Sequence, residues 1–164
     1  MTTYLKEDFL FDADLVLEDS LDANGDAEAT SGAASTAGAL LTVAQIIDLG
    51  DGVVEGVMIV DIDAIDVTAD ANLLYEIFLQ GSQEAAFDTG GLVRNLAALE
   101  LGCGELLTNA TATTGDQGAA GDRYVIPFRN VINGTVYRYV RVMQQTADGG
   151  ATITDTIWLS IKRK

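Results

Sequence analysis

Three aspartates in one short segment are the first candidates for chemistry in this chain: Asp61, Asp63 and Asp66. Paired carboxylates can act as general acid and general base when they flank a substrate. However, Asp61 and Asp63 alternate with Val60 and Ile62, which is the pattern of a half-buried strand whose polar side faces water. A catalytic pair would need a second carboxylate from a separate strand. This segment alone therefore predicts no active site.

A second oxygen-rich segment follows the pattern of a calcium-binding loop. Asp22, Asn24 and Asp26 match the first three ligand positions of a helix-loop-helix calcium site. The match then ends, because Ala27 stands where the loop requires glycine and Ala33 stands where it requires a bidentate glutamate. The three oxygen-bearing residues are the calcium candidates of the chain. The alternative is a solvated acidic loop.

The remaining reactive side chains are few. The chain has no histidine and one cysteine, so it lacks the commonest general base and the commonest metal ligand. Cys103 cannot form an intrachain disulfide, and no histidine is present to activate it as a nucleophile. We therefore predict a protein that is not an enzyme and that uses no cofactor.

Charge is distributed unevenly along the chain, whose net charge is −16. Residues 1–122 hold 23 acidic and 2 basic side chains, and residues 123–164 hold 2 acidic and 7 basic ones. Binding to nucleic acid or to an anionic membrane needs an excess of Lys and Arg, so we expect neither partner. The basic C-terminal part can seat one face on an acidic partner, or its arginines can simply lie on a solvated sheet face.

The strongest local folding signal is the dipeptide Asn133-Gly134. It separates two runs, residues 122–132 and 135–143, that are rich in β-branched and aromatic residues. A tight type I′ turn needs positive φ at both central positions, which Asn and Gly tolerate best. We predict a β-hairpin formed by the two runs. Pro127 cannot donate to a strand ladder, so it predicts a sheet edge or a bulge.

Three other segments alternate apolar and polar residues, as strands with one buried face do. The residues predicted to share a face are Val60, Ile62 and Ala64 in the first segment, Leu73, Tyr75, Ile77 and Leu79 in the second, and Ile153, Ile157, Leu159 and Ile161 in the third.

The other segments give less regular signals. Residues 4–21 carry Phe9 and Phe11 among acids, which fits a strand or an arm that pairs with a neighbouring chain. Residues 22–39 contain no large apolar side chain, so we expect a flexible arm or loop there. Residues 92–101 fit either a short helix or a bent strand.

About seven or eight short strands with turns between them, and no sustained helical period, predict an all-β fold: an antiparallel β-sandwich or jelly roll. The hydrophobic content of 48% is too high for a disordered chain. We expect residues 1–164 to form a single domain with extended loops and an N-terminal arm. The opening residues lack a signal peptide, and no apolar run approaches the roughly 18 residues of a membrane span.

The order of these segments resembles that of the jelly-roll cement, or decoration, proteins of tailed bacteriophages. The resemblance lies in a Phe- and Leu-rich acidic opening, IIDLGDG at 46–52, VMIVDIDAIDVTADANLLYEIFLQGS at 57–82, LAALELG at 96–102, YVIPFRN at 124–130 and the strand YRYVR at 137–141. It covers residues 9–161 and rests on segment order rather than on a catalytic motif.

The resemblance implies a structural virion protein that is made in the host cytoplasm and binds the outer surface of the phage head. Its partners would be the major capsid protein and further copies of itself, as a dimer or trimer. The contact residues that we expect are Arg129, Arg138, Arg141, Lys162, Arg163 and Lys164. The alternative is a calcium- or carbohydrate-binding β-sandwich module, for which Tyr75, Tyr124, Tyr137, Tyr139 and Trp158 supply aromatic side chains.

Overall fold

The computed structural model describes residues 16–18, 46–67, 73–87, 93–102, 117–146 and 153–161. Within these ranges the chain forms strands and turns without a helix. The strands are β1 (Val16–Glu18), β2 (Ile47–Asp48), β3 (Glu55–Ile65), β4 (Leu74–Ser82), β5 (Arg94–Gly102), β6 (Arg123–Arg129), β7 (Val131–Ile132), β8 (Thr135–Val136), β9 (Tyr139–Thr146) and β10 (Ile153–Ile161).

Eight of these strands form two antiparallel four-stranded sheets. The first sheet has the order β1-β10-β3-β6 and the second has the order β2-β9-β4-β5, while β7 and β8 pair only with each other. Side chains from both sheets meet in one apolar core that includes Met58, Val60, Leu79 and Leu159. The predicted all-β antiparallel sandwich is therefore confirmed.

Period-two alternation predicted most of the buried faces correctly. All four predicted residues of β4 and its approach, Leu73 to Leu79, are buried, as are Ile153, Ile157 and Leu159 in β10. Ala64 is the exception in β3, because it is exposed. The register slips at this point: Ala64 lies opposite Thr154 and Ile62 lies opposite Asp155, which leaves Asp63 as an extra residue. This bulge reverses the alternation, and Ile65 packs against the core instead.

The turn at Asn133-Gly134 forms as predicted, with φ of 51° and 81° at the two residues. The prediction that the two long flanking runs pair with each other was wrong. β7 and β8 form a hairpin of two residues each, whereas β6 pairs with β3 and β9 pairs with β2 and β4. The longer strands belong to opposite sheets because a sandwich buries more apolar surface when their inward faces meet across the core.

The structure also tests the predictions for residues 92–101 and for Pro127. Residues 94–102 form strand β5, whose register is irregular opposite Leu79 and Gln80, so the bent strand was the correct alternative. Pro127 lies in β6, which is the last strand of the first sheet. An edge position suits proline because the nitrogen that cannot donate can face away from the ladder.

Several strands begin or end at one end of the sandwich, where the chain passes from the first sheet to the second. There β3 begins at Glu55 opposite Arg129, β4 ends at Ser82 opposite Tyr139, and β10 ends at Ile161 opposite Gly56. We call this the hairpin end, because the β7–β8 hairpin connects β6 to β9 at this level.

Candidate interaction surface

Asn130 is the residue that holds the hairpin end together. It is fully buried directly after β6. Its side-chain oxygen accepts a hydrogen bond from the Val54 N–H at 2.7 Å, and its Nδ2 donates to the Gly52 and Tyr137 carbonyls at 3.0 and 3.2 Å. Its backbone oxygen accepts from the Tyr137 N–H at 2.8 Å. One amide side chain thus connects the approach to β3, the end of β6 and the approach to β9.

A cleft with an apolar lining opens beside this joint, at the edge of the sandwich. Its volume is about 620 Å³. Its apolar walls come from the ends of β3, β5 and β6 and from β7, and they consist of Val57, Leu96, Pro127, Phe128, Val131 and Ile132. The exposed pair of Arg129 and Glu55, with 3.3 Å between Nε and Oε1, forms part of its rim. An apolar floor with a charged rim is the usual anatomy of a protein interface.

Arg138, a predicted contact residue, already has two carboxylate partners. Its Nε and Nη2 bind the two oxygens of Asp48 at 2.8 and 2.7 Å, and its Nη1 binds Asp51 at 3.0 Å. The hydrogen bond from Arg138, followed by that from the Gly50 N–H, lowers the pKa of Asp48. Asp48 in turn raises the pKa of Arg138. The charge of Arg138 is therefore largely compensated within the chain.

Arg141, another predicted contact residue, has a different environment. Its guanidinium lies 4.2 Å from the centre of the Phe87 ring, and its Nε donates to Gln80 Oε1 at 3.2 Å. Among the residues that the structure describes, no carboxylate forms an ion pair with it. Burial lowers the pKa of Arg141. A partly desolvated cation with no described counter-ion is suited to recognising a carboxylate of a partner.

The outward face of the first sheet carries a separate apolar cluster. This cluster, which we call the Trp158 cluster, consists of Val57, Ile59 and Trp158. Their relative solvent exposures are 7%, 4% and 6%. Arg123 lies 5.3 Å from the Trp158 ring and binds both oxygens of Asp61. Val125, which follows in the same row on β6, is 43% exposed.

A buried carboxylate lies in the core itself, away from the surfaces described above. Asp155 is fully buried, and Gln144 Nε2 donates to both of its oxygens at 2.9 and 2.7 Å. Burial raises the pKa of Asp155 to about 7, against the lowering effect of the Gln144 hydrogen bond. Sequence reasoning missed this residue, although its position between Ile153 and Ile157 places it on the buried face of β10.

Several predicted site residues lie outside the described part of the chain. These are the calcium candidates Asp22, Asn24 and Asp26, the basic tail Lys162, Arg163 and Lys164, and Cys103. Within the described ranges, no group of three or more acidic, cysteine or histidine side chains is placed to hold a metal ion. The same ranges contain no helix long and apolar enough to cross a membrane.

The structure places three of the six predicted contact residues with respect to one end of the sandwich. Arg129 ends β6, Arg138 precedes β9 and Arg141 is the third residue of β9, so all three lie at or near the hairpin end. β10 also ends there, and the tail of Lys162, Arg163 and Lys164 follows it directly. The aromatic residues suggested for glycan binding are mostly inaccessible, since Tyr75, Tyr137 and Trp158 are buried.

No family model, curated protein or solved structure matches this chain.

Proposed function

We propose that this chain is a structural virion protein, a jelly-roll cement protein that binds the outside of a phage head and bridges major capsid proteins. The observation that carries the proposal is the nested pairing of the strands. When β7 and β8 are left out, the first strand pairs with the last, β2 with β9, β3 with β6, and β4 with β5. This is the pairing of a long antiparallel ribbon that has been rolled into a sandwich.

The nested pairing supports the jelly roll that the resemblance implies. Jelly rolls occur in viral capsid proteins and also in lectins and cupins, so the fold is compatible with several functions. The argument for attachment to a shell therefore depends on the surface. Solubility at the high copy number of a head protein is consistent with the net charge of −16.

The hairpin end is our candidate for the attachment surface. It combines the apolar edge cleft with Arg129 on its rim and with Arg141, which has no described carboxylate partner. With Arg94, Arg138 and the three tail residues, seven of the nine basic residues of the chain lie at this end or directly follow it. An apolar centre surrounded by cations fits an acidic partner surface that offers a protruding apolar side chain.

The connection from β1 to β2 is our candidate for a second contact. β1 ends at Glu18 opposite Ile157, in the middle of β10, and β2 begins at Ile47 opposite Val140, near the hairpin end, so residues 19–46 join the two sheets. Two separate contacts are what a protein needs in order to bridge neighbouring capsid subunits.

The test is attachment to phage heads that lack the protein. Purified protein should sediment with such heads and raise their resistance to heat. Changing Arg141→Glu together with Arg129→Glu should reduce attachment at least tenfold, because two cations become anions in a surface that meets an acidic partner.

The control is Arg123→Glu, which changes one arginine to glutamate at the opposite end of β6; it is compared with the single Arg129→Glu variant as well as with the double one. It should leave attachment close to that of the unchanged protein. Equal attachment of the Arg129/Arg141 variant and the unchanged protein would contradict the hairpin end as the docking surface. Absence of any sedimentation with heads would contradict the cement function itself.

A further inference from the structure

The Trp158 cluster poses a packing problem. The inward face of the first sheet is covered by the second sheet, but the cluster lies on the outward face. None of the described strands forms a further layer there, and Arg123 lies beside the Trp158 ring. Even so, the three side chains of the Trp158 cluster are at most 7% exposed. Apolar side chains on the outer face of a sandwich become this inaccessible only when another segment lies over them.

The position of β1 identifies a segment that can do so. Val16, the first residue of β1, lies directly beside Trp158. Because β1 is antiparallel to β10, the end of β1 to which residues 1–15 are joined is the one nearer to the hairpin end. They are thus joined to the first sheet at the edge strand nearest to Trp158.

The distance from β1 to the far edge of this sheet is short. Three strand spacings separate β1 from β6, and these amount to about 14 Å. The seven residues from Phe9 to Val16 span up to about 24 Å when extended. Phe9 can therefore reach Val125 on β6, even after the chain rises over the side chains of the sheet.

The two surfaces also match in chemistry. The outward residues of β6 are Arg123, Val125, Pro127 and Arg129, so two cations, each already paired with one carboxylate of β3, flank two apolar residues. Residues 7–12 read Glu-Asp-Phe-Leu-Phe-Asp, so acids flank an apolar centre. In an extended segment Phe9 and Phe11 lie on the same side and Leu10 lies on the other.

We infer that residues 1–15 cross the outward face of the first sheet of their own chain and cover the Trp158 cluster with Phe9 and Phe11. The inference is independent of the proposed attachment to phage heads. It assigns the acidic, Phe-rich start of the chain to an intramolecular contact, and it makes this segment a third layer on the sandwich.

Trp158 is the only tryptophan of the chain, so its fluorescence reports directly on this contact. In the full chain the emission should be that of a shielded indole. Removing residues 1–13, or changing Phe9→Ser together with Phe11→Ser, should shift the emission to longer wavelength and at least double the quenching constant for acrylamide. The matched control Leu10→Ser should change neither quantity. Unchanged emission in both altered chains would overturn the inference.

A cross-link in the full-length chain decides the matter even if those variants fold poorly. Phe9→Cys and Ile59→Cys, the latter within the Trp158 cluster, are combined with Cys103→Ser, so that no other thiol is present. Oxidation should give a cross-linked monomer, seen as a faster-moving band on a non-reducing gel. A cross-linked dimer would overturn the intramolecular contact and assign the segment to a second copy. Failure to cross-link would overturn both forms.

Discussion

At the scale of single residues, Asp155 is the least expected feature of the molecule. A carboxylate in an apolar core loses its hydration, so the protonated form is favoured and the pKa rises to about 7. Gln144 offsets part of this cost by donating to both oxygens, while its own Oε1 finds no hydrogen-bond donor among the described residues. The pair occupies core volume that apolar side chains would otherwise fill.

The raised pKa makes the stability of the fold depend on pH. Asp155 keeps its proton in the folded state up to about pH 7 but loses it near its ordinary value of 3.8 when unfolded. Its contribution is therefore fully present below about pH 4 and is lost as the pH rises through 7. At pH 8, Asp155→Asn should raise the free energy of unfolding by roughly 2–4 kcal/mol relative to the unchanged protein.

At pH 5 the same substitution should raise the free energy of unfolding by roughly 2–3 kcal/mol less than at pH 8, because Asp155 is then protonated and both side chains are neutral in the folded state. Urea denaturation of both proteins at the two pH values measures the difference. An effect of equal size at pH 5 and pH 8 would contradict the raised pKa of Asp155. Subtracting the two proteins removes the contribution of the many surface carboxylates, which both share.

The arginines show how neighbouring residues of one type acquire different roles. Arg138 and Arg141 are three positions apart, yet Arg138 is held by Asp48 and Asp51, whereas Arg141 rests on Phe87 without a described carboxylate. A cation that is already paired has less to gain from an acidic partner. Arg141 is therefore the better candidate for recognition.

At the scale of elements, the β7–β8 hairpin acts as a connector between the sheets. Its turn reverses the chain within two residues, and the bond from the Tyr137 N–H to the Asn130 oxygen closes its base. Beyond that bond β6 and β9 separate into different sheets. Backbone geometry at the turn therefore determines where one sheet passes to the other.

The contribution of this turn to stability can be tested by adding one methyl group at Gly134. Gly134 has a φ of +81° and open space around the position of a Cβ, so Gly134→Ala introduces backbone strain without a clash. We expect the free energy of unfolding to fall by about 1 kcal/mol, measured by urea denaturation.

Gly52→Ala is the matched control, since that position also has open space but no left-handed φ. It should leave stability unchanged or raise it by about 0.5 kcal/mol, because alanine restricts the unfolded chain. Equal effects of the two substitutions would show that the φ of Gly134 contributes nothing to stability.

At the scale of the whole molecule, the sandwich has two chemically different ends. The hairpin end has the apolar edge cleft and four of the five basic residues that the structure describes. The acidic residues Asp63, Asp66 and Asp122 lie at the opposite end, where β3 ends and β6 begins. Such polarity suits a protein that holds two different partner surfaces together.

Removal of residues 22–39 tests the second contact. The ten remaining residues of the 19–46 connection still join β1 to β2. Loop shortening changes the closure entropy only slightly, so the unfolding midpoint should stay the same while attachment to heads weakens. Sedimentation with heads and the thermal resistance of the particles measure the effect.

A Gly/Ser linker of equal length in place of residues 22–39 is the control for chain length. It should attach as weakly as the deletion if these side chains make contacts on the shell. Full attachment of the linker variant would contradict a direct role for the side chains of this segment.

Local signals were sufficient for a large part of the fold. Asn133-Gly134 specified its turn because the positive φ requirement concerns two adjacent residues and nothing else. The buried faces of β4 and β10 followed from period-two alternation, which depends only on the geometry of an extended strand. Pro127 indicated an edge strand because proline lacks an N–H. Such local signals were also sufficient to predict the all-β class, and the uneven distribution of charge is a property of the sequence itself.

The remaining features depend on contacts between residues that are distant along the chain. The pairing of β6 with β3 rather than with β9, the bulge at Asp63 and the burial of Asp155 all follow from how two sheets pack face to face. The different environments of Arg138 and Arg141 depend on which carboxylates and rings the fold brings beside them. Alternation states which residues share a face, but only tertiary packing decides what that face meets, because core burial and ion pairing are set by non-local neighbours.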